Sequence, residues 1–256
     1  MKKDSRQWNL KLTEDLVIAG YSQSSYDHSL FTKIVGDDIA AVLIYVDDLL
    51  ITGNSSVLIE DLKTTLHSNF KMKDLGDLKY FLGIEVLRSK NGIVLSQRKY
   101  ALELILDCGH GGSKPASTPL ESGVKLTTIE YDEAIAKTDD PLYSNVTAYQ
   151  RLICRLLYLT TTRPDICFAV QVLSQFMQKP KVSHWEAALR LVRYIKGCPG
   201  QGILLSSEDS NKMEAFCDSD WAACPNTRRS VTGYVIKLGN SLISWKSKKQ
   251  HTVSRS

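Results

Sequence analysis

A chain of 256 residues can hold one large domain or two modest ones, and its hydrophobic fraction of 43% allows a buried core. The 23% of charged residues is ordinary for a folded protein, so the composition argues against intrinsic disorder. The formal net charge of +4 permits contact with nucleic acid, but it excludes the strongly basic balance that would itself predict such contact.

Cysteine usage and the N-terminal sequence indicate where the protein works. The six cysteines include no Cys-x-x-Cys pair and no Cys/His cluster with zinc spacing, which predicts reduced, mostly buried thiols. No apolar stretch follows the charged residues after Met1, and the longest apolar run, residues 39–46, is too short to cross a bilayer. We therefore expect an intracellular protein, cytoplasmic or nuclear, without signal peptide or membrane segment.

Two helices are predicted in the first 70 residues. The first covers residues 6–19, where apolar side chains recur at helical spacing before Gly20. The second begins after a serine cap at Ser55 or Ser56. Its apolar face consists of Leu58, Leu62 and Leu66.

A hairpin is predicted between these helices. Residues 39–46 form a continuous apolar run that is typical of a central strand, and residues 49–52 resume it after Asp47 and Asp48. Two adjacent carboxylates are costly to bury, whereas a tight turn holds them at the edge of a sheet. Two interpretations stay open here: an Mg²⁺-binding pair for nucleotidyl transfer, or turn residues that cap backbone groups.

Residues 79–106 predict a second pair of strands and a helix. One strand covers residues 79–88, the pair Asn91-Gly92 supplies a hairpin turn, and residues 93–95 return. A helix follows at residues 100–106. Residues 109–145 are rich in Gly, Ser, Thr, Pro and charge with little periodicity, which predicts a long linker or loop-rich connection.

Three helices are predicted next. The second begins at Pro164, a favourable first-turn residue. The third begins at a capping box formed by Ser183 and Glu186 and ends at Gly197. The first helix carries an apolar face of Tyr149, Leu152, Ile153, Leu156 and Leu157.

Three strands are predicted at the end of the sequence, at residues 214–217, 231–238 and 241–246. The pair Gly239-Asn240 joins the last two strands. Helices and strands do not alternate regularly along the chain, which predicts an α+β fold.

Several motifs, in chain order, resemble the Pol polyprotein of copia-type LTR retrotransposons. Those similar to its reverse transcriptase are Arg-Gln-Trp at 6–8, Tyr-Val-Asp-Asp-Leu at 45–49, Leu-Gly-Asp-Leu-Lys-Tyr-Phe-Leu-Gly-Ile-Glu-Val at 75–86 and Lys-Pro-Ala-Ser-Thr-Pro-Leu at 114–120. Those similar to its connecting segment lie at 149–152, 158–166, 184–188 and 193–197. Those similar to the start of its RNase H lie at 217–221, 228–234 and 244–250.

The resemblance implies three segments. Residues 1–108 would be a partial reverse-transcriptase palm, an antiparallel sheet with helices. Residues 109–205 would be a thumb- or connection-like linker with three helices, and residues 206–256 a truncated RNase H-like three-stranded sheet. The implied chemistry is Mg²⁺- or Mn²⁺-dependent nucleotidyl transfer by an RNA-directed DNA polymerase. Its partners would be an RNA/DNA primer–template and deoxynucleoside triphosphates.

The resemblance also implies site residues. Asp47 and Asp48 would be metal-binding acids of the polymerase site, with Asp47 the stronger candidate, and residues 79–86 would form a hairpin near the primer end. Asp218 would be the first metal-binding acid of RNase H. For Asp220 we favour a solvated turn residue over a metal ligand.

Several lysines are candidate nucleic-acid contacts. Lys73, with the nearby Lys71, could contact the incoming triphosphate or the primer backbone, although exposed lysines are most often simply solvated. A basic run near the C-terminus could contact phosphates or form a solvated face. It comprises Lys246, Lys248, Lys249 and Arg255.

The family's polymerase site also needs an Asp expected before Met1, and its RNase H site needs a Glu expected beyond Ser256. We therefore expect the isolated chain to be inactive. Two alternatives remain: a non-catalytic nucleic-acid-binding protein, or an interaction remnant that pairs its open sheet with polyprotein segments or with another copy of itself.

Overall fold

The computed structural model describes residues 5–136, 139–208 and 210–252. The chain divides into two compact units, Met1–Leu78 and Lys79–Ser256. Within the described ranges there are seven α-helices and three antiparallel sheets, which confirms a mixed fold of helices and antiparallel strands. The predicted segment borders at 108/109 and 205/206 remain a prediction. No helix in the described ranges is both long and apolar enough to cross a membrane.

The first unit is an antiparallel meander with two helices. Its sheet has the order β1-β2-β3-β4, so β3 is an interior strand, as its apolar sequence predicted. The elements are α1 Ser5–Ile18, β1 Ser22–Gln23, β2 Leu30–Val35, β3 Asp38–Tyr45, β4 Asp48–Gly53 and α2 Ser56–Asn69.

Period-two burial on β3 builds the core of this unit. Ala40, Val42 and Ile44 are buried, whereas the intervening side chains are half-buried or exposed. Both helices contribute leucines at helical spacing to the same cluster, namely Leu12, Leu16, Leu58, Leu62 and Leu66. The two predicted helices and the hairpin are confirmed.

The second unit contains a sheet with the order β5-β6-β7-β8. The prediction of one strand over residues 79–88 was wrong, because Leu82 and Gly83 form a turn with positive φ values of 49° and 79°. Such values suit a tight hairpin turn and cannot continue a strand. The strands are β5 Tyr80–Phe81, β6 Ile84–Ser89, β7 Gly92–Ser96 and β8 Gly202–Ser206.

The β6–β7 turn lies one residue earlier than predicted. Ser89 pairs with Gly92, so Lys90 and Asn91 make the turn and Gly92 begins β7. β8, which the sequence did not predict, approaches here so closely that a Cβ on Gly92 would lie 2.0 Å from the carbonyl oxygen of Leu205. Only glycine fits at such an approach.

Helices form the core of the second unit. The predicted face of α5 was wrong at one position: Leu157 is 43% exposed, and the buried face continues instead at Leu159. The elements are α3 Arg98–Asp107, α4 Ile129–Ala134, α5 Val146–Leu159, a 3₁₀ helix Pro164–Ile166, α6 Cys167–Ser174 and α7 Val182–Gly197. The short helix α4 falls in residues 109–145, so this stretch is loop-rich but is not a detached linker.

The predicted capping box of α7 was also wrong. The N-cap is Lys181, whose backbone N–H donates to Nδ1 of His184 at 3.0 Å. Ser183 acts as a donor, because its N–H and hydroxyl bond to the two carboxylate oxygens of Asp140 at 3.1 and 2.7 Å. A carboxylate at the first turn of a helix satisfies free N–H groups and interacts favourably with the helix dipole.

A third sheet completes the second unit and confirms the three predicted C-terminal strands. These are β9 Met213–Ser219, β10 Val231–Leu238 and β11 Ser241–Lys249, with β10 in the centre. β11 packs against α6, and the indole N–H of Trp245 donates to the carbonyl oxygen of Thr160 at 2.9 Å.

All six cysteines are free thiols, as predicted. Their predicted burial was wrong. Cys154, Cys198 and Cys217 are exposed, and Cys224, at 9% exposure, is the one buried thiol among the six.

Candidate active site

The β3–β4 hairpin presents the two adjacent carboxylates. Tyr45 pairs with Asp48, so the turn consists of Val46 and Asp47. Val46 has a φ of 50°, whereas the φ of Asp47 is negative, which matches a two-residue turn with its left-handed position first. A β-branched residue with positive φ is an outlier that costs about 1–3 kcal/mol and persists only where the surrounding structure imposes it.

Neither carboxylate has a partner among the described residues. Asp47 and Asp48 are exposed, and neither side chain has a hydrogen bond or ion pair with any residue that the structure describes. A cation could therefore bind these oxygens without displacing an existing contact.

The opposite end of β3 offers an internal comparison. Asp37 and Asp38 form a second adjacent pair at the β2–β3 turn, where Val35 pairs with Asp38. Here one carboxylate has a partner within the protein, because Asp38 Oδ2 accepts from the hydroxyl of Ser55 at 3.0 Å. The interpretation of Asp47 and Asp48 as capping residues requires hydrogen bonds to nearby backbone N–H groups, and the described residues provide none for that pair.

The donor chemistry of Asp47 and Asp48 fits a hard divalent cation, because Mg²⁺ and Mn²⁺ prefer carboxylate oxygens. The set is incomplete in the described ranges, where no group of three or more His, Cys, Asp or Glu side chains is arranged to hold a metal. The residues therefore fit as contributors to a metal site and do not form a whole one.

The two candidate acids near the C-terminal sheet, Asp218 and Asp220, have different surroundings. Asp218 is exposed in β9 opposite Gly233, where an added Cβ would meet nothing within 4 Å, so space is open beside the carboxylate. Asp220 is half-buried, and its Oδ1 accepts the backbone N–H of Val231 at 2.8 Å. Asp220 therefore connects a loop to β10, which is a structural role. Its side chain is half-buried and not fully solvated.

The candidate lysines are distributed over different surfaces. Lys73 is exposed, with no partner among the described residues. Lys246 and Lys248 are exposed on one face of β11. Lys249 lies on the other face and donates to Oε1 of Gln175 at 2.8 Å, so it is engaged within the protein. Arg255 lies outside the described residues.

The hairpin expected within residues 79–86 is present and is fastened to helices. The Tyr158 hydroxyl donates to the carbonyl oxygen of Leu82, and Glu85 Oε1 accepts the backbone N–H of Lys99 at 2.7 Å. The rings of Tyr158 and Tyr100 meet edge to face with centroids 5.2 Å apart. The two anchors fix the hairpin at its tip and near its middle.

A buried ionic cluster was missed by the sequence analysis. The ammonium of Lys181 bonds to the carboxylates of Asp132 and Asp140, and the side chains of Lys181 and Asp132 are only 2% and 3% exposed. Burial alone would lower the pKa of Lys181, but the hydrogen bonds to the two carboxylates outweigh it and the pKa is raised. Lys181 lies 49 and 41 positions after Asp132 and Asp140, so no local pattern indicates the cluster.

Comparison with known proteins agrees with the motifs. Residues 1–122 match the family model described as reverse transcriptase (RNA-dependent DNA polymerase). The retrovirus-related Pol polyprotein from transposon RE2 of Arabidopsis thaliana is 40% identical over the whole chain, and that from transposon TNT 1-94 of Nicotiana tabacum is 33% identical. The chain spans only 17% and 19% of the length of these two polyproteins.

A shorter relative has a size similar to this chain. An uncharacterised mitochondrial protein of Arabidopsis thaliana is 42% identical over 215 residues, which cover 84% of this chain and 85% of that protein. No solved structure matches the chain.

Proposed function

Since this chain belongs to the reverse transcriptase family and is a fragment of a copia-type Pol polyprotein, we propose that it supplies part of an RNA-directed DNA polymerase active site, with Asp47 and Asp48 as metal-binding acids. One observation carries the assignment: a strained turn presents two exposed carboxylates that have no partner among the described residues. The alternative of a purely non-catalytic remnant is not favoured by these relatives.

Reverse transcriptases generally use divalent metals and bind a nucleic-acid template. In this proposal Asp47 and Asp48 hold Mg²⁺ or Mn²⁺ together with ligands from outside the described residues. Bound metal would lower the pKa of the primer hydroxyl and neutralise charge on the phosphates. The chain itself presents both carboxylates at fixed positions. The positive φ of Val46, which the surrounding structure imposes, supports this role.

The proposal extends to the three segments. Residues 1–108 correspond to the palm, 109–205 to the connection and 206–256 to the start of RNase H, with Asp218 as its first acid. The free carboxylate of Asp218 and the open space beside Gly233 support that role. Lys73, Lys246 and Lys248 are proposed contacts to the phosphates of an RNA/DNA primer–template. Lys249 is the weakest candidate for a phosphate contact, because its ammonium already donates a hydrogen bond to Gln175.

As an independent polypeptide the chain is expected to show no primer extension. Two carboxylates on one turn leave most coordination positions of a metal pair to other ligands, and the described residues bring no third acid to them. Extension on an RNA template that is lost in Asp47→Ala would overturn this expectation.

Metal binding is tested directly with terbium, which replaces Mg²⁺ at carboxylate sites and luminesces when a nearby tyrosine absorbs. Tyr45 lies opposite Asp48 in the hairpin and is the natural sensitiser. We expect a saturable signal that Mn²⁺ competes away and that Asp47→Asn and Asp48→Asn each weaken. The matched controls are Asp37→Asn and Asp38→Asn, from the other turn of the same sheet. Equal effects from both pairs would contradict the assignment.

A further inference from the structure

We propose that the second unit binds a small amphiphilic anion, a compact apolar body with one anionic group, in a cavity of about 680 Å³. The cavity lies between α6, α7 and the loops around residues 120–126 and 220–231. Its volume falls within the range of roughly 300–1,000 Å³ that is usual for small-molecule sites. The proposal is independent of polymerase chemistry.

The walls of the cavity are largely apolar. Phe168 and Val172 of α6, and Phe176 just after the end of this helix, line the cavity together with Leu120, Val124 and other apolar side chains of the connecting loop. Phe168 and Val124 remain 51% and 58% exposed, although both are large hydrophobic residues. Exposed apolar surface that is concave rather than scattered marks a binding site, because an apolar occupant would remove it from water.

Arg190 and Arg193 of α7 place two guanidinium groups in the lining. They lie three residues apart on one helix face, and neither forms a salt bridge with a described residue. Arg190 donates one bond, from Nη2 to Thr118 Oγ1 at 3.0 Å, whereas its buried Nε has no acceptor. Guanidinium groups beside an apolar wall favour an anion whose charge lies at one end.

The acids of the lining form no ion pair with these arginines among the described residues. Glu121 and Glu186 are exposed to solvent, as is the further cation Lys125, and Asp220 is engaged with the backbone of Val231. The neighbouring Lys196 is held by three carbonyl oxygens, those of His110, Gly111 and Ser113. Burial, then Arg193 and Lys196, lower the pKa of His110, so its imidazole is neutral at pH 7.

Cys224 lies in the same lining and supplies a reporter. Burial raises the pKa of its thiol, but hydrogen bonds from Lys249 and Thr227 outweigh burial, so the pKa lies below its ordinary value. The thiolate is the form that reacts with alkylating reagents. An occupant of the cavity should therefore slow alkylation of Cys224.

The probes for the test are 1-anilinonaphthalene-8-sulfonate and its uncharged analogue N-phenyl-1-naphthylamine, titrated by fluorescence against the full chain. The sulfonate should bind at one site, about tenfold more tightly than the neutral probe, since one charge-assisted bond is worth about 1.4 kcal/mol or more. Arg193→Gln should remove most of this difference and leave the affinity for the neutral probe unchanged. Equal affinities of the two probes in the unaltered chain would overturn the anion assignment.

Location is tested with substitutions that fill the cavity. Val172→Trp and, as a second variant, Ala187→Trp should abolish binding of both probes while the thermal melt stays cooperative. The control is Phe216→Ser, which removes an exposed apolar side chain outside the lining and should change nothing. By peptide mass spectrometry, the sulfonate should protect Cys224 from iodoacetamide but not the exposed Cys217. Binding that survives in a folded cavity-filling variant, or leaves Cys224 unprotected, would refute the site.

Discussion

The ammonium nitrogen of Lys181 lies 3.0 Å from Oδ2 of Asp140. This contact joins the N-terminus of α7 to the loop-rich stretch before α5, and Asp132 of α4 binds the same ammonium. A single buried cation thus organises two acids from a segment whose sequence resembles a flexible linker.

Removing this cation should destabilise the second unit strongly. Lys181→Met removes the cation that both carboxylates share, one of them on a side chain only 3% exposed, which should lower the free energy of unfolding by about 3–5 kcal/mol. Urea denaturation followed by circular dichroism measures the change. The matched control is Lys179→Met, which breaks an ion pair to Glu130 that is 2.7 Å long but exposed, and it should have little effect. Equal losses in the two variants would mean that burial does not decide the strength of these pairs.

Stability should fall as the pH drops from about 6.5 to 4. Burial and the neighbouring Lys181 lower the pKa of His184 from 6.5 to about 4. In this window the unfolded chain binds a proton that the folded chain does not, so the free energy of unfolding decreases with falling pH, by at most about 3 kcal/mol.

His184→Asn isolates this effect, because asparagine can still accept the N–H of Lys181 but does not titrate. Its stability should be lower overall and flatter across the same window. Asp140, whose pKa is lowered by Ser183 and Lys181 against the effect of burial, loses its contribution only below its ordinary value of 3.8. An unchanged slope in His184→Asn would exclude His184 as the cause.

The two turns that flank β3 predict opposite effects of exchanging valine and glycine. Gly36 occupies the first turn position of the β2–β3 hairpin with a φ of 62°, which matches the place of Val46 with 50° in the next hairpin. Gly36→Val should therefore destabilise the first unit by about 1–3 kcal/mol. Val46→Gly should leave stability unchanged or raise it by about 1 kcal/mol, while it weakens terbium binding because the carboxylates lose their fixed backbone. Thermal melts and terbium titrations of both variants measure this, and tighter terbium binding in Val46→Gly would contradict it.

Gly83 should tolerate alanine less well than Gly109 does. Both have a positive φ, 79° and 71°, but a Cβ on Gly83 would lie 3.0 Å from the Tyr158 hydroxyl, whereas one on Gly109 would meet nothing within 4 Å. Gly109→Ala should cost about 1 kcal/mol for the backbone alone, and Gly83→Ala clearly more. In a Tyr158→Phe background the extra cost should shrink, which a double-mutant cycle in urea measures. Additive effects would show that contact with the hydroxyl is not the source of the extra cost.

Local patterns account for what the sequence analysis predicted correctly. The Asp47-Asp48 hairpin interrupts an apolar run, and α2 and α5 repeat leucines at helical spacing, so neighbours in sequence carry these signals. The local pattern missed the turn at Leu82 and Gly83, because one glycine inside an apolar run indicates only a weak break, and only the family resemblance implied a hairpin there. β8 and the Lys181 cluster depend on partners far along the chain, which a local pattern does not indicate. Whether Asp47 contacts other protein groups depends on its neighbours in space, which the local sequence does not indicate either.

The pairing of β7 with β8 has a consequence during synthesis. Ser96 bonds through its hydroxyl to the carbonyl oxygen of Gly200, 104 residues later, and the strand pairing extends from there. At a translation rate of about 5–20 residues per second, the edge of β7 waits roughly 5–20 s for its partner to leave the ribosome. During that interval an unpaired strand edge is open to other nascent chains. Slowing translation between the emergence of β7 and that of β8 from the ribosome should therefore increase misassembly, whereas a slowdown after β8 has emerged should not.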